Sequence, residues 1–595
     1  MTNLPNDRSV ATIEPTKQVY SRREIACLLL ALTVHAGSLI YWASWHGPVS
    51  DEVGHMAAGL SHWRFARFEL FAVNPPLVRL LATAPVFLSP HHENWRLYSQ
   101  QIANRSEFNI GREFVSENPD TWLDLFFLAR CMCIPFGTIA ALLCFWWGRY
   151  LYGRLAGWIA MLLWCSSPTC MTYSAMMTPD AVATTIGVFA WWVVVQWLKS
   201  PTWGIAAIAG VFLGLAVLSK STLAILVVIL PVAAVAVRLS RRIETPVSHR
   251  SICYQTICIG CISLHVINTG YAFEGTFTRF GDFTFRSEAL MSLQNVCGDG
   301  ELGELLRNVP VPLPKNMLLG IDHLKYEYEQ RYWSYLRGEH KLGGWWYYYL
   351  YAYLVKTPIG ALGLLLVAFV TFTWRIHCNE LWLDELLLLA PAFAVFLVVS
   401  SQTGFNHHIR YVLPAFPSLC IFASRVARTG KAAKRLSRIV CLFLTAWAVY
   451  SGLTIFPHSM SYFNELVGGP KNGWKHLSFS NIDWGQDMHF LRDWQRSHPQ
   501  ARPLYIRTKS LISAEKYGIL SDQFPIEEDS RKKPFPAGWY VLGINELLTH
   551  NSDISGFLRL ASDDQIGYSM NVYYLDSPQI LESYFGSVDN QATVK

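Results

Sequence analysis

The chain has 595 residues, 52% of them hydrophobic and only 15% charged. Soluble proteins carry about 25% charged residues, so the deficit puts much of this chain in lipid rather than in several soluble domains. The net charge of +6 is small and segregated, which argues against a nucleic-acid partner.

Residues 1–19 are polar, and the apolar run after Arg22-Arg23 lacks a small-residue cleavage site, so no cleavable signal peptide is expected. A spanning helix needs about 20 mostly apolar residues. Eleven candidates follow, near 24–44, 123–147, 154–174, 180–198, 203–218, 221–238, 252–271, 346–373, 383–400, 409–425 and 437–456. Only Ser219-Lys220 separate the fifth from the sixth. Lys17, Arg22, Arg23, Arg149, Arg154, Lys199, Arg238, Arg241, Arg242, Arg250 and Arg375 fall in alternate loops, as do Arg425, Arg428, Lys431, Lys434, Arg435 and Arg438. With the N-terminus inside, all of these are cytoplasmic, as the positive-inside rule requires, and Lys220 is the exception. The same topology puts 45–122, 272–345, 401–408 and 457–595 outside, with the short turn around Asp180. Of the 13 Cys, only Cys297 falls in a long outer loop, so no disulfide framework is expected.

The expected fold is therefore a polytopic α-helical membrane protein of eleven transmembrane helices in the plasma (inner) membrane. A cytoplasmic tail covers 1–23, a membrane module 24–456, and an extracytoplasmic C-terminal part 457–595. In the first outer loop, 51–68 and Leu77–Leu88 read as interfacial helices. β-rich runs at 503–507, 539–543 and 569–575, with helix-like stretches at 510–517 and 577–584, read as a small α/β domain. The 23 Trp and 27 Tyr suit the membrane interfaces.

Four motifs carry ionisable or aromatic groups to the outer side. Asp51-Glu52 follow the first span: one carboxylate can act as general base while its neighbour orients it, although acids also simply suit a helix start. Met177-Thr178-Pro179-Asp180 reads either as a helix start capped by Thr178 or as a second acid facing Asp51. His407-His408-Ile409-Arg410-Tyr411 suits an anion such as phosphate, or interfacial anchoring. Adjacent His are not a tetrahedral metal set; no residue is assigned to a metal, and a divalent cation stays open as a cofactor. Glu339, the aromatic run from Trp345-Trp346, and Lys356 in Lys356-Thr357-Pro358 form the fourth. An intramembrane Lys is a functional candidate by default, with snorkelling as the alternative.

In this order and on this one side, the motifs resemble the glycosyltransferase C superfamily, in the branch of the protein O-mannosyltransferases and the aminoarabinose-to-lipid A transferases. The resemblance is carried by Asp51-Glu52, Asn74-Pro75-Pro76-Leu77, Asp180, Gly344–Tyr347 with Lys356–Pro358, Arg410–Pro414, and Tyr462–Glu465 through Asn481–Asp487. It implies an inverting glycosyltransferase, hexosyl- or pentosyl-, working in the cell envelope. Its donor would be a sugar on a polyprenyl phosphate or diphosphate, and its acceptor a protein (as in protein glycosylation), a glycolipid or a glycan. Asp51 would be the base, Glu52 and Asp180 would position it or the acceptor, and Lys356 and Arg410 would neutralise the leaving phosphate. The aminoarabinose branch has Lys before Pro-Pro where this chain has Asn74; Arg79 is the substitute nearby. A flippase for lipid-linked sugars and a non-catalytic assembly protein are the alternatives.

Overall fold

The structure, a computed structural model, describes residues 20–240, 247–296, 301–374, 381–428, 434–525 and 534–585. Lys17, Arg241, Arg242, Cys297, Arg375 and Lys431 lie outside the described residues. Helix α1 (Arg22–Trp45) begins where Ser21 accepts a hydrogen bond from Glu24 N at 3.1 Å. The buried Glu24 carboxylate holds Arg149 and accepts from Arg154 Nε at 3.0 Å, fastening the start of α1 to the loop after the second span.

The first long loop folds into α2 (Ser50–Phe65), α3 (Leu77–Leu88) and α4 (Glu107–Glu117). α2 is buried from Glu52 through His62. It is a core helix packed on α3 and α4, not one lying on a surface, because its Gly54 and Gly59 let Glu107 and Arg79 approach its backbone. α3 keeps an apolar outer end, with Leu88 83% exposed.

The chain then runs through α5 (Trp122–Tyr152), α6 (Arg154–Ser166), α7 (Pro168–Ser174), α8 (Pro179–Lys199), α9 (Trp203–Ser219), α10 (Ala224–Leu239) and α11 (His249–Gly270). The expected span at 154–174 is broken: Pro168 has no N–H to continue α6, and Ser167 caps α7 by accepting from Cys170 N. α9 has 17 residues and packs along α11. Gly210 and Gly214, four apart, permit this: a Cβ on either would lie 2.9 or 2.8 Å from the Ile259 or Ser263 carbonyl oxygen.

Outside the next spans lie α12 (Glu288–Val296), α13 (Glu301–Arg307), α14 (Lys315–Gln330) and the hairpin of β1 (Trp333–Leu336) with β2 (Glu339–Leu342). The expected span at 346–373 is two helices, α15 (Tyr348–Lys356) and α16 (Ile359–Trp374), bent by 119° at Thr357-Pro358. α17 (Trp382–Ser401) leads to a tight turn over Ile409–Ala415, then α18 (Phe416–Ala423) and α19 (Lys434–Ile455). Among the described residues, eight helices are long and apolar enough to cross a membrane, or nine if the bent pair is one span. The chain is thus an integral membrane protein. The eleven expected are not reached because α6 and α9 are short and α15–α16 bend.

After α20 (Met488–Ser497), β3 (Leu504–Arg507), β4 (Gly538–Gly543), β5 (Asp564–Ile566) and β6 (Met570–Leu575) form one sheet in the order β3-β4-β6-β5. β3 is parallel to β4, and the other pairs are antiparallel. α21 (Ile544–Leu547) follows β4 directly. The stretch 577–584 is irregular rather than helical, and 510–517 contains only a tight turn over Ala514–Tyr517.

Candidate functional site

Asp51 and Glu52 are neighbours at the start of α2, so their side chains point about 100° apart around the helix. Glu52 points inward. Its carboxylate accepts from Arg130 Nε at 2.8 Å and Nη2 at 2.5 Å, and from the Val49 and Met177 backbone N–H groups, each at 2.9 Å. Arg130 spends its other N–H groups on the carbonyls of Ala43, His46 and Gly47. Both ions are sealed, so Glu52 is a brace between α2, α5 and the Met177 turn and does not reach a cavity.

Asp51 points the other way and meets Arg410, whose Nη2 donates to Asp51 Oδ2 at 2.9 Å. Arg410 Nη1 lies 3.5 Å from Asp180 Oδ2. Asp180 Oδ1 accepts from Lys220 Nζ at 2.7 Å. Thr178 occupies the N-cap position of α8, but its hydroxyl makes no capping bond, and Asp180 is committed to the two cations rather than to the helix end. Lys220, the exception to the charge rule, is this buried partner of Asp180. Burial pushes the Lys220 ammonium below its usual range, against the pull of Asp180. The Arg410 guanidinium also lies over the Trp484 ring at 4.3 Å.

These groups edge a cavity of about 520 Å³. Asp51, Asn74, Asp180, Lys220, His408, Arg410 and Tyr411 line it. Phe71, Val73, Ala224, Leu324, Val399 and Phe405 give it an apolar wall. Arg105 and Glu327, paired at 2.5 Å, close another edge. Both residues lie in loop segments between spans that carry no motif, and no sequence signal marks them.

The tail motif forms the backing of the site. Asn481 accepts from Ile409 N at 3.0 Å and donates to the His407 carbonyl at 2.9 Å and to the Tyr348 hydroxyl at 3.0 Å. Ser480 Oγ meets His408 Nδ1 at 2.7 Å. The Trp484 and Gln486 carbonyls accept from Ser50 N and Gly47 N, holding the entry to α2.

Several residues expected at the site are used elsewhere. Arg79 does not line the cavity: it donates to the carbonyls of Leu70, Phe71, Asn74 and Pro75, so it shapes the loop that carries Asn74. Lys356 does not line it either. Its Nζ donates to the Met460 and Asn481 carbonyls, each at 2.6 Å, and stabilises the α15–α16 bend. Glu339 lies exposed on the hairpin, and Trp346 is 66% exposed. The Trp345 backbone N–H donates to Asn406, and its ring faces Lys341. His407 stacks on Phe479 at 3.7 Å and donates to the Trp333 carbonyl. Burial pushes His407 down to about 4 and His408 well below the usual range, the latter reinforced by Arg410. Both are neutral at neutral pH, so the positive charge lining the cavity is that of Arg105, Lys220, Lys325 and Arg410, not of a His pair. Lys220 and Arg130 carried a usable signal, since each is an ionisable group within an apolar stretch.

Residues 124–267 match a family model described as dolichyl-phosphate-mannose-protein mannosyltransferase. Among solved structures, ArnT from Cupriavidus metallidurans bound to undecaprenyl phosphate is similar at 12% identity and a TM-score of 0.44, over 93% of this chain and 98% of that one. The same protein in the apo state gives 12% and 0.41, over 92% and 98%. No curated protein matches the chain. Across the segment that holds Arg130, Asp180 and Lys220, the chain is similar to the protein mannosyltransferases, the resemblance within the glycosyltransferase C superfamily that the order of its motifs implies.

Proposed function

We propose that the chain is an inverting glycosyltransferase that moves a sugar from a polyprenyl-phosphate-type donor to a hydroxyl acceptor on the outer face of the plasma (inner) membrane. The observation that carries this reading is one cavity lined both by Asp51, Asp180, Lys220 and Arg410 and by apolar side chains such as Phe71, Val399 and Phe405. Cations beside an apolar wall suit a phosphate head group on a lipid chain. The family match over residues 124–267 supports a lipid-phosphate donor in the same direction.

The ion pairs suggest the sequence of events. Arg410 donates to Asp51 at 2.9 Å, so in the resting site the carboxylate is engaged by this cation. A donor phosphate competes for Arg410 and Lys220 and so releases Asp51. The acceptor hydroxyl then attacks the anomeric carbon as the bond from that carbon to the phosphate oxygen breaks. Asp51 takes the hydroxyl proton, and Lys220 and Arg410 stabilise the charge developing on the leaving phosphate. Asp180 holds both cations in place and is a positioning residue. Glu52 positions Asp51 through the Arg130 brace.

The test is transfer from lipid-linked sugars in membranes that contain Asp51→Asn or Asp180→Asn at the wild-type level. Near-normal transfer by Asp51→Asn removes it as the base. The outer-face assignment rests on the charge rule. A reporter fused after residue 495 is expected to be active only outside the cytoplasm, and cytoplasmic activity overturns that assignment.

A further inference from the structure

A second group of ionisable side chains lies where three chain segments meet, outside the cavity. His46 follows α1, His458 follows α19, and Asp487 precedes α20. His46 Nε2 is 3.6 Å from Asp487 Oδ1, and His458 Nδ1 is 3.7 Å from the same oxygen. The three atoms lie within 4.8 Å of one another. His46 and Asp487 are buried and His458 is half-buried.

The hydrogen bonds around the group show what faces its centre. His46 Nδ1 lies 2.9 Å from the Trp42 carbonyl, which can only accept, so Nδ1 carries the proton and Nε2 presents a lone pair. Asp487 Oδ2 accepts from Ser569 Oγ at 2.6 Å and Gln486 Nε2 at 2.8 Å. Asp487 Oδ1 and His458 Nδ1 have no hydrogen-bond partner. Arg130, bonded to the His46 carbonyl, has its N–H groups committed to Glu52 and to carbonyls. The Nε2 lone pair of His46 thus faces the unbonded Oδ1 of Asp487 beside the half-buried His458, an arrangement of electron pairs that a cation at the centre would relieve.

We propose that His46, His458 and Asp487 bind a divalent transition-metal ion of the zinc class. Tetrahedral zinc with bonds of about 2.1 Å sets its ligand atoms about 3.4 Å apart, near the two separations observed here. The outer contacts also fit: a ligating imidazole donates its other N–H to a carbonyl, and a ligating carboxylate is held by further donors. The ion would join the ends of α1 and α19 to the 484–487 segment. That segment accepts from Gly47 N and Ser50 N, immediately before Asp51, and reaches the β5–β6 turn through Ser569. The metal is therefore a clamp that sets the entry to α2, and no step of sugar transfer passes through it. No spacing motif could reveal it, since the ligands come from three distant segments.

The experiment uses the full chain, purified in detergent without an affinity tag, loaded with zinc, desalted and measured for bound metal. The wild type is expected to keep one zinc per chain. His458→Ala, at the half-buried ligand, is expected to lose it, while His476→Ala, a half-buried control elsewhere, keeps it. A zinc-free wild type, or His458→Ala with the wild-type content, overturns the proposal. If His458→Ala does not fold, cobalt loading of the wild type decides: an intense visible band of four-coordinate cobalt supports the site, and its absence overturns it.

Discussion

Asp51 and Glu52 differ by one residue in sequence and face opposite environments. Glu52 is 0% exposed and has four hydrogen bonds, two from Arg130 and two from backbone N–H groups. Asp51 has one close ionic partner, Arg410, and lines the cavity. A carboxylate whose bonding capacity is filled within the protein holds structure together. One that shares a single cation with a cavity can exchange that cation for a ligand. The same contrast separates two lysines. Lys356 is used up by two carbonyls, whereas Lys220 borders the cavity beside Asp180.

The comparison can be broken by substitution. Asp51→Asn is expected to lower transfer by about 10²- to 10⁴-fold, the usual contribution of a general base, with the unfolding midpoint in detergent unchanged. A variant that loses stability instead would put Asp51 in the same class as Glu52. Glu52→Ala strands the buried Arg130 and is expected to cost about 3–5 kcal/mol of stability, seen as poor extraction and a lowered midpoint. A fully stable Glu52→Ala with altered donor affinity would reverse the assignment. Lys356→Met leaves the Met460 and Asn481 carbonyls without a donor and is expected to cost about 1–3 kcal/mol, with donor affinity kept in the folded fraction.

The smallest expected effect is that of pH. Burial first, and neighbouring cations next, hold His55, His62 and His408 well below the usual range, and burial holds His407 at about 4. The unfolded chain protonates these side chains near about 6.5, so between that value and 4 it binds protons that the folded chain does not. Their contribution to stability is complete above about pH 6.5 and is lost on acidification toward 4. Thermal scans across that window check the sign, and a midpoint that rises on acidification contradicts it.

Much of the cavity lining was legible because the loop charges group the motifs together. That rule put Asp51, Asp180, His408, Arg410 and Tyr411 on one face, and all five line the cavity. Sidedness does not say which way a side chain turns. Glu52 and Lys356 were grouped with these residues and face away, because Arg130 and the carbonyls at the α15–α16 break bind them. Arg79 was near the right loop but binds that loop's own carbonyls. Lys220 was visible as the one cation that broke the charge rule, and its partner across the α8–α9 pair explains why it does. The bend at Thr357-Pro358 was marked by a proline, yet hydropathy alone read through it as a single span.

The central claim is that a lipid phosphate is held by the cations of this cavity and not by Lys356 or Arg79. Native mass spectrometry of the purified chain with a polyprenyl phosphate tests this without knowledge of the sugar or the acceptor. The account predicts that wild type and Lys356→Met bind the lipid alike, whereas Lys220→Ala and Arg410→Ala bind at least about 10-fold more weakly, the loss expected of a charge-assisted contact. Undiminished binding by Lys220→Ala and Arg410→Ala, with loss in Lys356→Met, would contradict it.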